Sequence, residues 1–202
     1  MIAIVDYGVG NLFSLESSLK RVGAETVVTS DRAVIERAEK IILPGVGAFA
    51  DAAKKLKESG LGDVIKAQAA LGKPVMGICL GMQILFEKSY EYGENEGLGL
   101  LKGNVVPMKG YIDENLKIPH IGWNTLRFVR KNPLFKYLKN GDYVYFVHSY
   151  FVSGCQDSLI ADTEYGKPLT AAVAKGNVYG CQFHPEKSGD VGLKILQAFC
   201  EL

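Results

Sequence analysis

Residues 73–83 read Lys73-Pro-Val-Met-Gly-Ile-Cys79-Leu-Gly-Met-Gln83, an apolar run with a cysteine between two glycines. This pattern predicts a strand, a sharp turn and a helix from Leu80 to Glu87. The Gly-x-Cys-x-Gly spacing matches a nucleophile elbow, in which glycines leave room for a strained turn that presents a nucleophile. A thiol at the start of a helix also gains thiolate character from the helix dipole. A buried structural cysteine in a parallel βα unit explains the same residues equally well.

The chain before the elbow repeats the order of strand and helix. Apolar and β-branched runs predict strands at 2–6, 25–29 and 40–43, and helical spacing predicts helices at 12–22, 31–38, 49–59 and 61–71. Three βα units therefore precede the unit that carries Cys79. Right-handed crossovers place helices on both faces of such a sheet. We expect an α/β fold with an open, mostly parallel, flavodoxin-like sheet.

The pattern changes after Glu87. Residues 89–97 are polar and glycine-spaced, which predicts a surface loop, and residues 98–108 and 116–129 are β-prone, which predicts an antiparallel extension of the sheet. Further predicted elements are a short helix at 133–139, a strand at 142–147, a hairpin of 169–174 with 177–183 and a closing helix at 191–200.

The composition bounds the class of protein. With 202 residues and 48% hydrophobic residues, the chain can bury one substantial core, so a single domain over 1–202 is expected. Scattered basic residues and a net charge of +1 argue against nucleic acid as a partner. The N-terminus lacks a signal-peptide pattern and no apolar run is long enough to span a membrane. A soluble cytoplasmic protein is the expectation.

The four cysteines are at positions 79, 155, 181 and 200 and form no C-x-x-C pair. Their spacing is not typical of a zinc site or a disulfide framework, so no metal and no cofactor are expected. Cys155, Cys181 and Cys200 are interpreted as ordinary packing or surface residues.

Two glycine-containing loops follow predicted strands. Gly8-x-Gly10 has Phe13 where a dinucleotide fingerprint requires glycine, so it is interpreted mainly as a tight turn. Residues 44–47, Pro-Gly-Val-Gly, leave a strand at the edge where open α/β sheets bind ligands, the same edge as Cys79. Their backbone N–H groups could stabilise an oxyanion.

A cysteine nucleophile needs a base that is oriented by a third group. His120 lies among extended apolar residues and is interpreted as structural or at an interface. His148 ends a strand but has no acidic residue near it in sequence. His184 also ends a strand, and Pro185 restricts the turn so that Glu186 can return to the imidazole. His184 with Glu186 is therefore the candidate pair.

Several motifs together resemble one family. Gly77-Ile-Cys-Leu-Gly-Met-Gln83, Pro44-Gly-Val-Gly47 and His184-Pro-Glu186 resemble the class I, triad-type glutamine amidotransferases. Asp6-Tyr-Gly-Val-Gly-Asn11, Pro119-His-Ile-Gly-Trp-Asn124, Val147-His-Ser-Tyr150 and His184-Pro-Glu-Lys-Ser188 are similar to the branch formed by glutaminase subunits of imidazole glycerol phosphate synthases, in histidine biosynthesis. The resemblance spans essentially the whole chain and shows no departure at the triad positions.

The resemblance implies hydrolysis of the side-chain amide of glutamine. Cys79 would attack the carboxamide, His184 would pass the proton to ammonia and Glu186 would orient His184. Backbone N–H groups of Leu80 and of the loop Gly45, Val46 and Gly47 would hold the oxyanion. The resemblance further implies that Gly47, Gln83, Ser149 and Tyr150 bind glutamine, and Glu91 is the choice for its α-ammonium group.

The same resemblance implies a partner, a separate (β/α)8-barrel cyclase that forms a heterodimer with this chain and uses the ammonia. Interface candidates at matching positions are Asn11, Trp123, Asn124 and Lys187, and Trp123 could equally belong to a core. Three alternatives stay open: a stand-alone cysteine hydrolase, an amidotransferase subunit of another pathway, and a non-catalytic binding module with the same fold.

Overall fold

The structure, a computed structural model, describes residues 1–202. Its strands are β1 (Ile2–Val5), β2 (Thr26–Thr29), β3 (Lys40–Leu43), β4 (Val75–Ile78), β5 (Lys88–Ser89), β6 (Asn95–Glu96), β7 (Asn104–Pro107), β8 (His120–Thr125), β9 (Arg127–Phe128), β10 (Tyr143–His148), β11 (Tyr150–Ser153), β12 (Leu159–Tyr165), β13 (Lys167–Lys175) and β14 (Val178–Cys181). Its helices are α1 (Leu12–Arg21), α2 (Arg32–Arg37), α3 (Phe49–Ser59), α4 (Leu61–Ala70), α5 (Leu80–Ile84) and α6 (Gly189–Cys200), with 3₁₀ turns at Pro133–Phe135 and Pro185–Lys187.

Eight strands form the central sheet in the order β2-β1-β3-β4-β14-β13-β12-β9. The first five are parallel to one another, and β13, β12 and β9 continue the sheet antiparallel. The prediction of an open, mostly parallel sheet with flanking helices and an antiparallel extension is confirmed. The hairpin predicted around Lys175 and Gly176 is the connection between β13 and β14.

Both faces of the central sheet are covered by apolar side chains. Alternate residues of β1 enter two different core clusters, with Ala3 and Val5 in one and Ile2 and Ile4 in the other. The first cluster includes residues of α3 and α4, and the second includes residues of α1 and α6. Burial on both faces explains why these strands are continuous apolar runs rather than alternating ones.

The helix after Cys79 is shorter than predicted. It ends at Ile84 rather than Glu87. The N–H groups of Leu98 and Leu100 donate to the carbonyls of Ile84 and Leu85 at 2.7 and 2.9 Å. These contacts from a distant segment take the place of further helical bonds, so the dipole at Cys79 comes from a helix of five residues.

The middle of the chain differs from the prediction. Residues 89–97 are not a plain surface loop, because β5 and β6 pair there as a hairpin. Only β9 from residues 98–129 joins the central sheet; β7 lies in a second sheet of order β11-β7-β5-β6, and β8 pairs with β10 alone. The helix predicted at 133–139 is a single 3₁₀ turn. Strand partners are chosen by contacts between residues far apart in sequence, which local β-propensity does not contain.

The parallel strands place the predicted functional segments at one edge. Loops 6–11 and 44–48 leave the carboxyl ends of β1 and β3, and Cys79 and His184 follow β4 and β14. Open α/β sheets bind ligands at this edge. None of the helices is both long and apolar enough to cross a membrane.

Candidate active site

Cys79 lies in the sharp turn that the glycine spacing predicts. Its backbone has φ 53° and ψ −111°, which an L residue seldom adopts, and its N–H donates to the carbonyl of Cys181 at 2.8 Å. A Cβ on Gly77 would lie 2.6 Å from the backbone of Gly81 and Met82, and a Cβ on Gly81 would overlap the carbonyl of Leu43. Both flanking glycines are therefore required by close approach of the backbone. The thiol is largely buried, with 8% of the residue exposed.

His184 is held by Glu186, as the His-Pro-Glu motif predicts. Nδ1 of His184 lies 2.8 Å from Oε1 of Glu186, and both side chains are buried. Because a carboxylate only accepts, the proton sits on Nδ1 and the other nitrogen is directed elsewhere. That nitrogen, Nε2, is buried and has no hydrogen-bond partner in the chain. It is therefore free to act on a ligand or on the neighbouring thiol.

Charge favours the protonated form of His184. Burial lowers its pKa, but the Cys79 sulfur and the Glu186 carboxylate outweigh burial and raise the pKa of His184 to about 9. This balance suits a thiolate beside an imidazolium.

A cleft of about 520 Å³ opens at these two groups. Cys79 and His184 line it, and so do all the predicted substrate-binding residues except Gly45: Val46, Gly47, Leu80, Gln83, Glu91, Ser149 and Tyr150. Gly45 and Glu186 lie behind it, around a small adjoining cavity. The cleft thus brings together Cys79, His184 and the predicted binding residues from both halves of the chain.

The loop of residues 44–47 is not arranged to receive an oxyanion in this conformation. The carbonyl of Gly45 accepts a hydrogen bond from the N–H of Leu80 at 3.3 Å, so the predicted donor is occupied. The carbonyl of Pro44 accepts from the hydroxyl of Tyr7 at 2.7 Å. Tyr7 is buried, and burial raises the pKa of its hydroxyl, with the Cys79 sulfur adding to the effect. The N–H of Leu80 becomes available to a ligand only when its hydrogen bond to Gly45 is broken.

Glu91 and Gln83 are anchored at opposite walls of the cleft. Oε2 of Glu91 accepts from the N–H of Phe49 at 2.7 Å, at the start of α3. Nε2 of Gln83 donates to the carbonyl of Tyr150 at 3.1 Å. Glu91 therefore already has a role in capping a helix, which sequence reasoning did not anticipate.

The two other histidines are neutral and structural. Nδ1 of His148 donates to the Tyr150 carbonyl at 2.9 Å, its Nε2 accepts from Nδ1 of His120 at 3.1 Å, and Nε2 of His120 accepts from Nδ2 of Asn124 at 3.3 Å. The Tyr150 carbonyl, which can only accept, fixes both tautomers. Burial lowers the pKa of His148 to about 3 and that of His120 to about 4. Although His148 lines the cleft, both of its ring nitrogens are already hydrogen-bonded within the chain.

The predicted interface residues differ in how freely they face outward. Trp123 is 55% exposed, so it is not a core residue, whereas the side chain of Asn124 is committed to His120 and to the carbonyl of Glu164. Asn11 caps α1 through the N–H of Ser14. Lys187 is exposed, at the end of the 3₁₀ turn that follows His184. Ile121, Tyr143 and Phe13, which were not among the predicted interface residues, are also strongly exposed.

Comparison with known proteins decides the family. A sequence model described as "Glutamine amidotransferase class-I" matches residues 3–201. The chain is a class I glutamine amidotransferase. Imidazole glycerol phosphate synthase subunit HisH of Caldanaerobacter subterraneus subsp. tengcongensis is 54% identical over 100% of this chain and 98% of the relative. The protein of the same name from Lactococcus lactis subsp. lactis is 52% identical over 99% and 98%.

Solved structures support the amidotransferase fold. A crystal structure of a glutamine amidotransferase superposes with a TM-score of 0.77 at 20% identity, covering 100% of both chains. The structure of PurLQS from Thermotoga maritima gives a TM-score of 0.75 at 24% identity, covering 99% of this chain and 97% of that one.

One polar contact of Cys79 was absent from the sequence prediction. Nε2 of Gln182 lies 3.7 Å from Sγ of Cys79. A signal for it was present, because Gln182 is a polar residue in an otherwise apolar strand end, two positions before His184. Buried polar groups of this kind require partners.

Proposed function

We propose that this chain is the glutaminase subunit of an imidazole glycerol phosphate synthase, acting in histidine biosynthesis. Relatives with that name are about half identical over nearly their whole length, which supports the assignment. The observation that carries the chemistry is the buried His184–Glu186 pair at 2.8 Å, whose free Nε2 shares a cleft with Cys79. We infer that residues 1–202 act as one catalytic domain.

In the first half of the reaction, the Cys79 thiolate attacks the carboxamide carbon of glutamine and the C–O π electrons move to oxygen. When the C=O bond re-forms, the C–N bond breaks and the proton on Nε2 of His184 passes to nitrogen, giving ammonia and a γ-glutamyl thioester. Water then attacks the thioester, with His184 taking its proton, and glutamate leaves as the thiolate is restored. Glu186 holds the imidazole in the tautomer that this exchange needs.

The cleft residues divide into two binding tasks. Glu91 supplies a carboxylate for the α-ammonium group, and Gln83, Ser149 and Tyr150 line the path of the side chain. The oxyanion is held by N–H groups of Leu80 and the 45–47 loop, each commonly worth about 3 kcal/mol in such sites. The carbonyl of Gly45 now accepts the hydrogen bond of the Leu80 N–H. The oxyanion hole therefore forms only after the loop rearranges.

We infer that the partner is a (β/α)8-barrel cyclase, in a heterodimer, and that its docking drives the loop rearrangement. Ammonia is useful only if it is delivered before it is protonated and lost. The exposed Trp123 and Ile121 lie on one face of β8, beside the catalytic edge, and offer an apolar docking surface. The biosynthetic role supports a cytoplasmic location.

The nucleophile is tested by Cys79→Ala, with Cys200→Ala in α6 as the matched control. We expect Cys79→Ala to abolish release of ammonia from glutamine in the assembled complex, while circular dichroism shows an intact fold. The control should retain full activity. Normal turnover by Cys79→Ala would end the proposal.

The dependence on a partner is tested by measuring ammonia release from the isolated chain, then with a candidate cyclase and its nucleotide ligand. We expect low activity from the isolated chain, because the N–H of Leu80 is hydrogen-bonded to Gly45. We expect strong stimulation in the complex. Vigorous activity of the isolated chain would instead favour a stand-alone hydrolase. Hydrogen exchange at Gly45 to Gly47 that does not respond to the partner would argue against the loop rearrangement.

A further inference from the structure

The side chain of Gln182 lies between Cys79 and Gln83, two residues that line the cleft. It follows β14 directly, is fully buried, and its backbone N–H donates to the carbonyl of Ala171 at 2.8 Å. Its side chain reaches back toward the elbow, where Nε2 lies 3.7 Å from the sulfur of Cys79. We propose that Gln182 is a catalytic residue that donates a hydrogen bond to the Cys79 thiolate and holds the sulfur ready for attack. This inference deepens the proposed glutaminase function and rests on it.

The direction of the Gln182 amide follows from a backbone carbonyl. The carbonyl of Tyr150 can only accept, so the atom of Gln83 at 3.1 Å from it is the nitrogen. That nitrogen also lies 2.9 Å from the Gln182 side chain, where it must meet the oxygen. The remaining atom of the Gln182 amide, which faces Cys79, is therefore its NH₂ group. Two successive assignments thus leave a donor directed at the sulfur.

A donor at this position suits a thiolate better than a thiol. A thiol can hydrogen-bond weakly in either sense, and here Sγ also lies 4.0 Å from the carbonyl of Val147. A sulfur anion only accepts hydrogen bonds. The hydrogen bond from the Gln182 N–H to Sγ therefore becomes stronger when the thiol loses its proton, because hydrogen bonds to charged groups are stronger than those to neutral ones. Helix α5 has only five residues, so its dipole stabilises the thiolate only weakly, and a side-chain donor adds to that stabilisation.

The contact acts mainly before the attack. When the bond from sulfur to carbon forms, negative charge leaves the sulfur for the carboxamide oxygen, and the hydrogen bond from Gln182 weakens. When the thioester is hydrolysed, the charge and the hydrogen bond both return. Gln182 therefore determines how much thiolate awaits glutamine, whereas the oxyanion loop acts on the following step.

Gln182→Met keeps the length of the side chain and removes the donor. We measure the rate at which iodoacetamide alkylates Cys79 across pH, with the modified residue identified by mass spectrometry. Loss of a hydrogen bond to an anion should slow alkylation at pH 7 by about 10- to 100-fold. The pH at which the alkylation rate is half-maximal, called the midpoint below, should rise. The alkylation rate at high pH should change little. The same substitution at Gln68, a buried glutamine in α4, is the matched control. It should change neither the alkylation rate at pH 7 nor the midpoint.

A second variant, Gln182→Glu, and the NMR signal of the Gln182 side-chain amide test the hydrogen bond independently. Gln182→Glu retains an oxygen for Gln83 but places an acceptor against the sulfur, so it should slow alkylation at least as much. In the unaltered protein, the NMR signal of the Gln182 side-chain amide should move as Cys79 titrates and again after alkylation. An unchanged midpoint in folded Gln182→Met, or an amide signal that ignores the state of Cys79, would overturn the proposal.

A purely structural role for Gln182 would lower the melting temperature without moving the midpoint, and that result would also overturn the proposal. Alkylation needs no glutamine turnover, so its outcome does not depend on whether ammonia is released. Failure of this inference is therefore distinguishable from failure of the proposed function.

Discussion

The behaviour of His184 shows how two neighbours set the chemistry of one residue. Glu186 fixes the tautomer through Nδ1, and the Cys79 sulfur adds negative charge near the ring. Together they outweigh burial, which by itself would favour a neutral imidazole. His148 lacks such neighbours and stays neutral, although it lines the same cleft. The opposite pKa shifts of His184 and His148 therefore follow from their different surroundings.

Glu186→Gln tests this balance at the residue scale. The raised pKa keeps His184 protonated up to about pH 9, so ammonia release should persist to that pH and fall above it. The amide still meets the ring but carries no charge, so the alkaline limb should move to lower pH. Turnover at neutral pH should fall by about 10²-fold or more. The profile of kcat against pH in the complex is the measurement.

Glu201→Gln, at a surface carboxylate paired with Lys136, provides the control for a lost charge. Its profile should coincide with that of the unaltered protein. A Glu186→Gln profile with the original alkaline limb would show that Glu186 does not act through the charge of His184.

At the scale of elements, the start of α3 links Glu91 to the loop of residues 44–47. The loop of residues 44–47 runs into Ala48 and then into α3, and the first N–H of that helix, from Phe49, is held by Glu91. A carboxylate is favourable at a helix N-terminus. The residue proposed to hold the ammonium group of glutamine thus also fixes the end of the loop that must rearrange.

Two substitutions of Glu91 separate these roles. Glu91→Gln keeps an oxygen for the Phe49 N–H but removes the charge, so it should raise KM for glutamine about 10-fold or more and leave the melting temperature nearly unchanged. Glu91→Ala should raise KM similarly and also cost about 1 kcal/mol of unfolding free energy, as a lost cap does. Steady-state kinetics and thermal unfolding provide the measurements. An unchanged KM in Glu91→Gln would remove Glu91 from the ammonium site.

The elements before Cys79 could be predicted from the sequence, and those after it less well. Strand β3 and helix α3 have the predicted bounds, because apolar runs and helical spacing are local signals. The end of α5 could not be predicted, since it depends on N–H groups from Leu98 and Leu100. The placement of Cys79 and His184 at one edge of the sheet could be predicted because both come soon after a parallel strand. The polar character of Gln182 was visible in the sequence, but its contact with Cys79 could not be predicted, because it depends on side chains far apart in the chain.

At the scale of the whole molecule, one hydrogen-bonded chain joins strand β8 to Cys79. It passes from Asn124 through His120 and His148 to the Tyr150 carbonyl, and from there through Gln83 and Gln182 to Cys79. Its first member follows Trp123 directly on β8. Strand β8 therefore contributes to the apolar face and to the buried network at once.

Trp123→Ala tests the docking face. Because Trp123 is 55% exposed, its truncation should barely affect the stability of the isolated chain. An aromatic anchor at an interface is commonly worth 2 kcal/mol or more, so the affinity for the cyclase should fall by about 30-fold or more. Calorimetric titration measures the affinity. Leu71→Ala, at an apolar residue that is 79% exposed beyond the end of α4, is the control and should leave binding unchanged. Equal affinities for both variants would place the partner elsewhere.

The backbone of Cys79 sets a limit on how this protein can be engineered. A non-glycine residue held at φ 53° and ψ −111° commonly costs about 1–3 kcal/mol, and glycine would adopt the same turn with little strain. The most heat-resistant sequence at position 79 is therefore an inactive one. A selection for thermal tolerance alone would discard the thiol, so any stabilised version of this chain has to be screened for reactivity at the same time.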